Sequence, residues 1–206
     1  MFTIDGVGSA CKRIRLPLCV ILFACATASA QHDLSLIPRN WDFSVWIAGA
    51  TGEETSNSFA QAQVLTAGVF CGRVIAGEIG SGWLRGSLEY GFDLVPLFVT
   101  SNNQNVRGGG FDPLILRWNS SLHTARVAPY VELAGGAIAT TSNLPPGNTS
   151  NFNFMAKGGG GVYLFTRNRQ SVDIGFQWTH ISNANLGVWN PEFNGLQIRL
   201  SYHWYK

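Results

Sequence analysis

From residue 41 onward, apolar and polar side chains take turns along the chain in eight segments. They lie at roughly residues 41 to 50, 62 to 76, 83 to 98, 110 to 119, 125 to 140, 152 to 166, 170 to 182 and 194 to 205, with turn-rich stretches between them. Side chains two apart on a strand share a face, so a period of two predicts strands. No long segment carries the helical period, and the fold class is all-β. In the third segment Leu84, Gly86, Leu88, Tyr90, Phe92, Leu94 and Phe98 occupy one parity, and Arg85, Ser87, Glu89, Gly91 and Asp93 the other. The seventh sets Val172, Ile174, Phe176 and Trp178 against Asp173, Gly175, Gln177 and Thr179. The eighth sets Leu196, Ile198, Leu200, Tyr202 and Trp204 against Gln197, Arg199, Ser201 and His203. The first alternates more loosely through Trp41, Phe43, Val45 and Ile47, and the second, fourth and sixth leave their register open.

Alternation alone fits either a soluble barrel with an oily interior or a membrane barrel with an oily exterior, so the contents of the two faces have to decide. The oily parity is rich in large aliphatics, with Trp83, Trp178 and Trp204 near segment ends, as a lipid-facing band with interfacial girdles requires. Placing the other parity inside gathers Arg85, Arg126, Lys157 and Arg199 with Glu89, Asp93, Glu132 and Asp173, four charges of each sign able to pair in a plugged lumen. Eight strands leave a bore that side chains fill, which argues against a general diffusion pore. Several segments exceed the ~10 tilted residues that cross a bilayer. The expected architecture is an eight-stranded antiparallel transmembrane β-barrel of the bacterial outer membrane.

The beginning of the chain agrees with export. Lys12, Arg13 and Arg15 precede an apolar run from Leu16 to Ala26 that ends in Ala28-Ser29-Ala30, the order of a secretory signal cleaved before Gln31. Residues 1–30 are therefore expected to be a signal peptide and residues 31–206 one β-barrel domain. The apolar run is too short for a membrane-spanning helix. A competing reading takes Leu22-Phe23-Ala24-Cys25 as a lipoprotein box acylated at Cys25, with bulky Phe23 where such boxes want a small residue. Without the leader, Cys71 is the one remaining cysteine, so no disulfide or cysteine-based metal site forms within one mature chain. Eleven basic and eleven acidic side chains also remain, a balance that gives no reason to expect nucleic acid.

The seventh segment breaks its own pattern at its end. Continuing Val172, Ile174, Phe176, Trp178 by twos gives His180 and Ser182, two polar groups in the lipid-facing row. Residues i and i+2 of a strand stand about 6.5 to 7 Å apart at Cα, close enough for an imidazole to meet a hydroxyl. A serine becomes a nucleophile when a neighbouring base accepts its proton. Asn183 follows directly and offers an amide or nearby backbone N–H groups to an oxyanion.

The stretch His180-Ile181-Ser182-Asn183-Ala184-Asn185-Leu186-Gly187, then Asn190-Pro191-Glu192-Phe193-Asn194-Gly195 and a last alternating strand, resembles the C-terminal signature of the lipid A 3-O-deacylase family, the PagL-type acyloxyacyl hydrolases. The match is sharp over about 25 residues and architectural over the rest. The resemblance implies an eight-stranded outer-membrane barrel that hydrolyses the ester at the 3-position of lipid A, with lipopolysaccharide as substrate, outer-membrane lipids as surroundings and no metal or other cofactor. It makes Ser182 the nucleophile, His180 the general base and Asn183 an oxyanion contributor. Family enzymes carry a glutamate just after the Asn-Gly step to orient the histidine, as the acid does in a serine triad. Here that place holds Gln197, on the inner parity, so Glu192, on the outer parity if the strand extends past Pro191, is the substitute candidate. The rivals are a non-catalytic barrel on the same scaffold and a secreted soluble barrel holding an apolar ligand. Association into a homodimer is left open.

The remaining features read as structural. His32 precedes the first strand, His123 falls in a loop, and His203 shares the lumen parity with Arg199. The run Gly158 to Gly161 lacks the Lys-Ser/Thr and helix of a phosphate loop and reads as close packing in a strand. Gly108-Gly109-Gly110 reads as the end of a hairpin loop, and Asn148-Thr149-Ser150 as part of a polar loop. Loops at 51–61, 99–109 and 141–151 are where substrate access would vary.

Overall fold

A sheet in hydrocarbon has to close on itself, because an open edge has no water to satisfy its N–H and C=O groups. In the computed structural model of the protein it does so. The structure describes residues 40–53, 62–101, 106–121, 126–145, 147–167 and 169–206, so the expected leader, Cys25, His32 and His123 lie outside the described residues. The eight strands are β1 (Trp41–Gly52), β2 (Gln63–Ile79), β3 (Gly86–Ser101), β4 (Arg107–Ser120), β5 (Val127–Leu144), β6 (Ser150–Arg167), β7 (Gln170–Ser182) and β8 (Phe193–Tyr205). Each pairs antiparallel with the next, and β8 returns to β1 with Val45 opposite Tyr202. The strands run 12 to 18 residues, longer than a bilayer requires. Among the described residues no helix is long and apolar enough to cross a membrane.

The oily parity faces outward. Val45, Ile47, Leu94, Leu133, Phe176, Ile198 and Leu200 are all exposed large apolar side chains. At the end of the barrel that carries the short turns, Phe43 stacks between Trp41 and Trp204, each at 6.2 Å, in an aromatic girdle.

The inward side chains fill the bore in two layers, one charged and one apolar. Toward the short turns lies a charge network centred on Arg117, which donates to Glu132 Oε2 at 2.7 Å and to the Tyr163 hydroxyl at 2.6 Å, with its plane 4.6 Å from the Phe70 ring. Arg199 pairs with Asp93 at 3.1 Å, and Lys157 with Asp112 at 2.6 Å. His203 is held between Asp42 and Asp173, each at 2.8 Å. Paired, hydrogen-bonded ions are the form in which charge tolerates burial. Toward the longer loops the bore is closed by an apolar plug that includes Val64, Phe98, Ile138, Met155, Ile181 and Phe193. Gly161 and Gly175 leave room for the Tyr130 phenol, which donates to Asp173 at 2.7 Å; the glycine run is close packing.

Four expectations need correction. Arg85 precedes β3 and pairs with Glu78 in the exposed turn, and Arg126 is exposed just ahead of β5, so neither enters the lumen. Both stand one residue outside a strand, where parity no longer dictates direction. Phe98, assigned to the lipid face, is buried in the plug, because an irregularity between Val95 and Phe98 leaves Pro96 and Leu97 both outward and reverses the parity beyond them. Gly108 to Gly110 lie within β4.

Candidate active site on the outer face

The end of β7 has to satisfy two neighbours at once. Its inward side chain, Ile181, is buried in the apolar plug and anchors the strand end. Its outward ones, His180 and Ser182, are half-buried on the outer surface. In the ladder His180 lies opposite Ala156 of β6 and Asn194 of β8, and Ser182 opposite Phe154 of β6. The pair therefore stands between a lipid-facing aromatic pair, Phe152 and Phe154 with ring centroids 5.4 Å apart, and the first outward residue of β8.

The imidazole bridges two groups. His180 Nε2 lies 3.0 Å from Ser182 Oγ, and His180 Nδ1 lies 2.8 Å from Asn194 Oδ1. Asn194 is almost fully buried and its amide Nδ2 donates to Glu192 Oε2 at 3.2 Å. The resulting row of hydrogen-bond contacts, Ser182–His180–Asn194–Glu192, runs along the outer flank of β7 and β8.

The other expected residues fall differently. Gln197 points into the lumen, where its Oε1 accepts from the Thr179 hydroxyl at 2.7 Å, and it does not orient His180. Its inward parity, visible in the sequence, decides this. Glu192 reaches the histidine only through Asn194. Asn183, expected at an oxyanion, is fully buried and fastens the turn: its backbone N–H donates to Asn190 Oδ1 at 2.8 Å and its side-chain amide to the Trp189 carbonyl at 2.7 Å. The sequence expectations leave out Asn194, the residue that His180 Nδ1 meets. The signal for it was its outward parity with Leu196 and its place opposite His180, a pairing that only the turn geometry sets.

The loop of residues 183–192 that joins β7 to β8 leaves Ser182 through two residues in the left-handed region, Ala184 (φ 49°) and Asn185 (φ 64°). For alanine that conformation is strained, and it survives where surrounding bonds hold it. Those bonds include Leu186 N–H to the Asn183 carbonyl at 2.9 Å and Trp189 N–H to the Asn148 carbonyl at 3.0 Å. The loop thereby carries Leu186, Val188 and Trp189 exposed beside His180 and Ser182. A cleft of about 430 Å³ runs along it, lined by Asn185, Val188, Trp189, Asn190 and Pro191.

Similarity to known proteins agrees with this geometry. A family model described as lipid A 3-O-deacylase (PagL) matches residues 77–203, more than half the chain. A solved structure described as the crystal structure of the outer membrane enzyme PagL superposes with a TM-score of 0.55 at 14% identity, over 78% of this chain and 97% of that one. The outer membrane protein OprG from Pseudomonas aeruginosa superposes with a TM-score of 0.50 at 10% identity, over 82% of this chain and 96% of that one. At these identities the two structures speak for the fold alone. No match is found among the curated proteins. With the family model covering β3 to β8 and the barrel closed as in these outer-membrane proteins, the chain belongs to the lipid A 3-O-deacylase (PagL) family and is an outer-membrane β-barrel.

Proposed function

We propose that the protein is an outer-membrane esterase that removes the 3-position ester-linked acyl chain of lipid A, with Ser182 as nucleophile and His180 as general base. The observation that carries this reading is the 3.0 Å contact between His180 Nε2 and Ser182 Oγ on the lipid-facing surface. A hydroxyl and a neutral imidazole are individually weak; within hydrogen-bond reach, the base takes the proton as the hydroxyl attacks. Their outward direction suits a substrate that is itself a membrane lipid and arrives sideways through the leaflet.

Ser182 Oγ attacks the acyl carbonyl while its proton passes to His180 Nε2. The tetrahedral intermediate collapses as the imidazolium returns that proton to the departing sugar oxygen, leaving the acyl chain on Ser182. A water molecule, deprotonated by His180, then attacks the acyl-enzyme, and the proton goes back to Ser182 as a 3-hydroxy fatty acid leaves. Leu186, Val188 and Trp189 give the site an apolar border against which an acyl chain packs. Asn183 supports the reaction by holding the turn, its amide fastened to the Trp189 carbonyl. A second reading, a barrel that keeps the scaffold without hydrolysis, is favoured by one observation: the group touching His180 Nδ1 is an amide, which carries no charge to stabilise an imidazolium.

Incubation of the refolded protein with lipid A, followed by mass spectrometry, separates the two. The esterase predicts loss of one 3-hydroxyacyl chain from the 3-position, abolished in Ser182→Ala. An unchanged lipid mass, or a loss that persists in Ser182→Ala, leaves the scaffold reading standing.

A further inference from the structure

We infer that Glu192 fixes the tautomer of His180 through the Asn194 amide, so that a neutral side chain does the orienting and a carboxylate one position removed dictates how. An ionised carboxylate only accepts hydrogen bonds, whereas a primary amide presents an acceptor on one side and donors on the other. Glu192 Oε2 lies 3.2 Å from Asn194 Nδ2, so the carboxylate selects the amide orientation with its NH₂ toward Glu192 and its carbonyl toward His180. That carbonyl, 2.8 Å from His180 Nδ1, likewise only accepts, and the hydrogen of the neutral imidazole has to sit on Nδ1. Nε2 is then left with its lone pair directed at Ser182 Oγ, 3.0 Å away, in the state that takes the serine proton.

Turning the amide over reverses every step. An NH₂ group facing Nδ1 makes that nitrogen the acceptor, moves the hydrogen to Nε2 and removes the base from the serine. Either orientation offers His180 Nδ1 a partner, and the Glu192 carboxylate favours the first. The near-complete burial of Asn194 keeps water from taking over the role. Glu192 is thus a positioning residue, acting through Asn194 rather than on the reacting atoms. The inference deepens the esterase reading in its consequence for rate and stands apart from it in its consequence for the resting imidazole.

The test is ¹⁵N NMR of histidine-labelled protein refolded in detergent micelles, with the His180 signals identified by their loss in His180→Ala. The parent is expected to show a pyrrole-type Nδ1 and a pyridine-type Nε2. Glu192→Gln, whose side chain both donates and accepts, is expected to give a mixture of tautomers and to lower lipid A deacylation about tenfold, the scale of one hydrogen bond to a charged group. Glu192→Gln combined with Asn194→Asp moves the carboxylate next to Nδ1, with the substituted amide behind it as its donor, and is expected to restore both the Nδ1-protonated form and the rate. An unchanged tautomer in Glu192→Gln, or a disturbed one that the double variant leaves unrestored, overturns the inference. Absence of Ser182-dependent hydrolysis in the parent removes the esterase reading instead, while the tautomer measurement still decides the relay.

Discussion

Two histidines of this barrel sit in opposite surroundings. His203, sealed in the lumen, has Asp42 against one ring nitrogen and Asp173 against the other, with Tyr163 and Phe70 rings packed edge-on. Each nitrogen faces an acceptor, so the ring serves as a double donor that ties β8 to β1 and β7, and nothing near it needs a base. His180, on the outer flank, has one nitrogen held by an amide and the other aimed at a hydroxyl. The lesson is that charge around a histidine does not mark a catalytic base. A base for serine needs one nitrogen fixed and the other facing the hydroxyl, and of these two histidines His180 alone has that arrangement.

The comparison breaks most sharply at the nucleophile. Ser182→Ala or His180→Ala is expected to reduce deacylation of lipid A by at least about 10⁴-fold without disturbing the fold, since a serine and its base act as a unit; turnover per folded molecule, checked by heat-dependent gel mobility, reads this. Next comes the other histidine. His203→Ala leaves Asp42 and Asp173 buried together without the imidazole that bridges them and is expected to cost roughly 3–5 kcal/mol of stability in urea unfolding, while the rate per folded molecule stays at the parent level. Asn183→Ala removes the bond to the Trp189 carbonyl, worth about 1 kcal/mol, and is expected to lower the rate by less than tenfold through a looser turn. The smallest effect belongs to Gln197→Ala, which loses one luminal bond to Thr179 at a cost of about 1 kcal/mol. Its deacylation rate is expected to match the parent, because Gln197 does not reach His180.

The sequence made the outer flank legible where strands run without interruption. β7 and β8 keep perfect alternation through Trp178 and Leu196, so the outward break at His180 and Ser182 showed in the pattern, and the structure places both side chains on that face. Reading failed where a strand changes step. In β4, Phe111 and Leu114 are both outward around Pro113, with Asp112 and Ile115 inward, because the ladder shifts between Phe111 and Leu114. That shift hid Arg117, the central cation of the lumen, behind a segment with no readable register. Asn194 was obscured for a different reason. Parity put Glu192 and Asn194 on one flank, and only the pairing of His180 with Asn194 shows which of them the imidazole meets. Charge drew the reading to the carboxylate; distance assigns the contact to the amide.

The proposed esterase requires an activated serine opening toward lipid, which a fluorophosphonate probe dissolved in the bilayer reads directly. After reconstitution into vesicles, peptide mass mapping is expected to find the adduct on Ser182 in the parent and no adduct in His180→Ala. Absence of an adduct on Ser182 in the parent, or equal labelling with and without His180, would contradict the account.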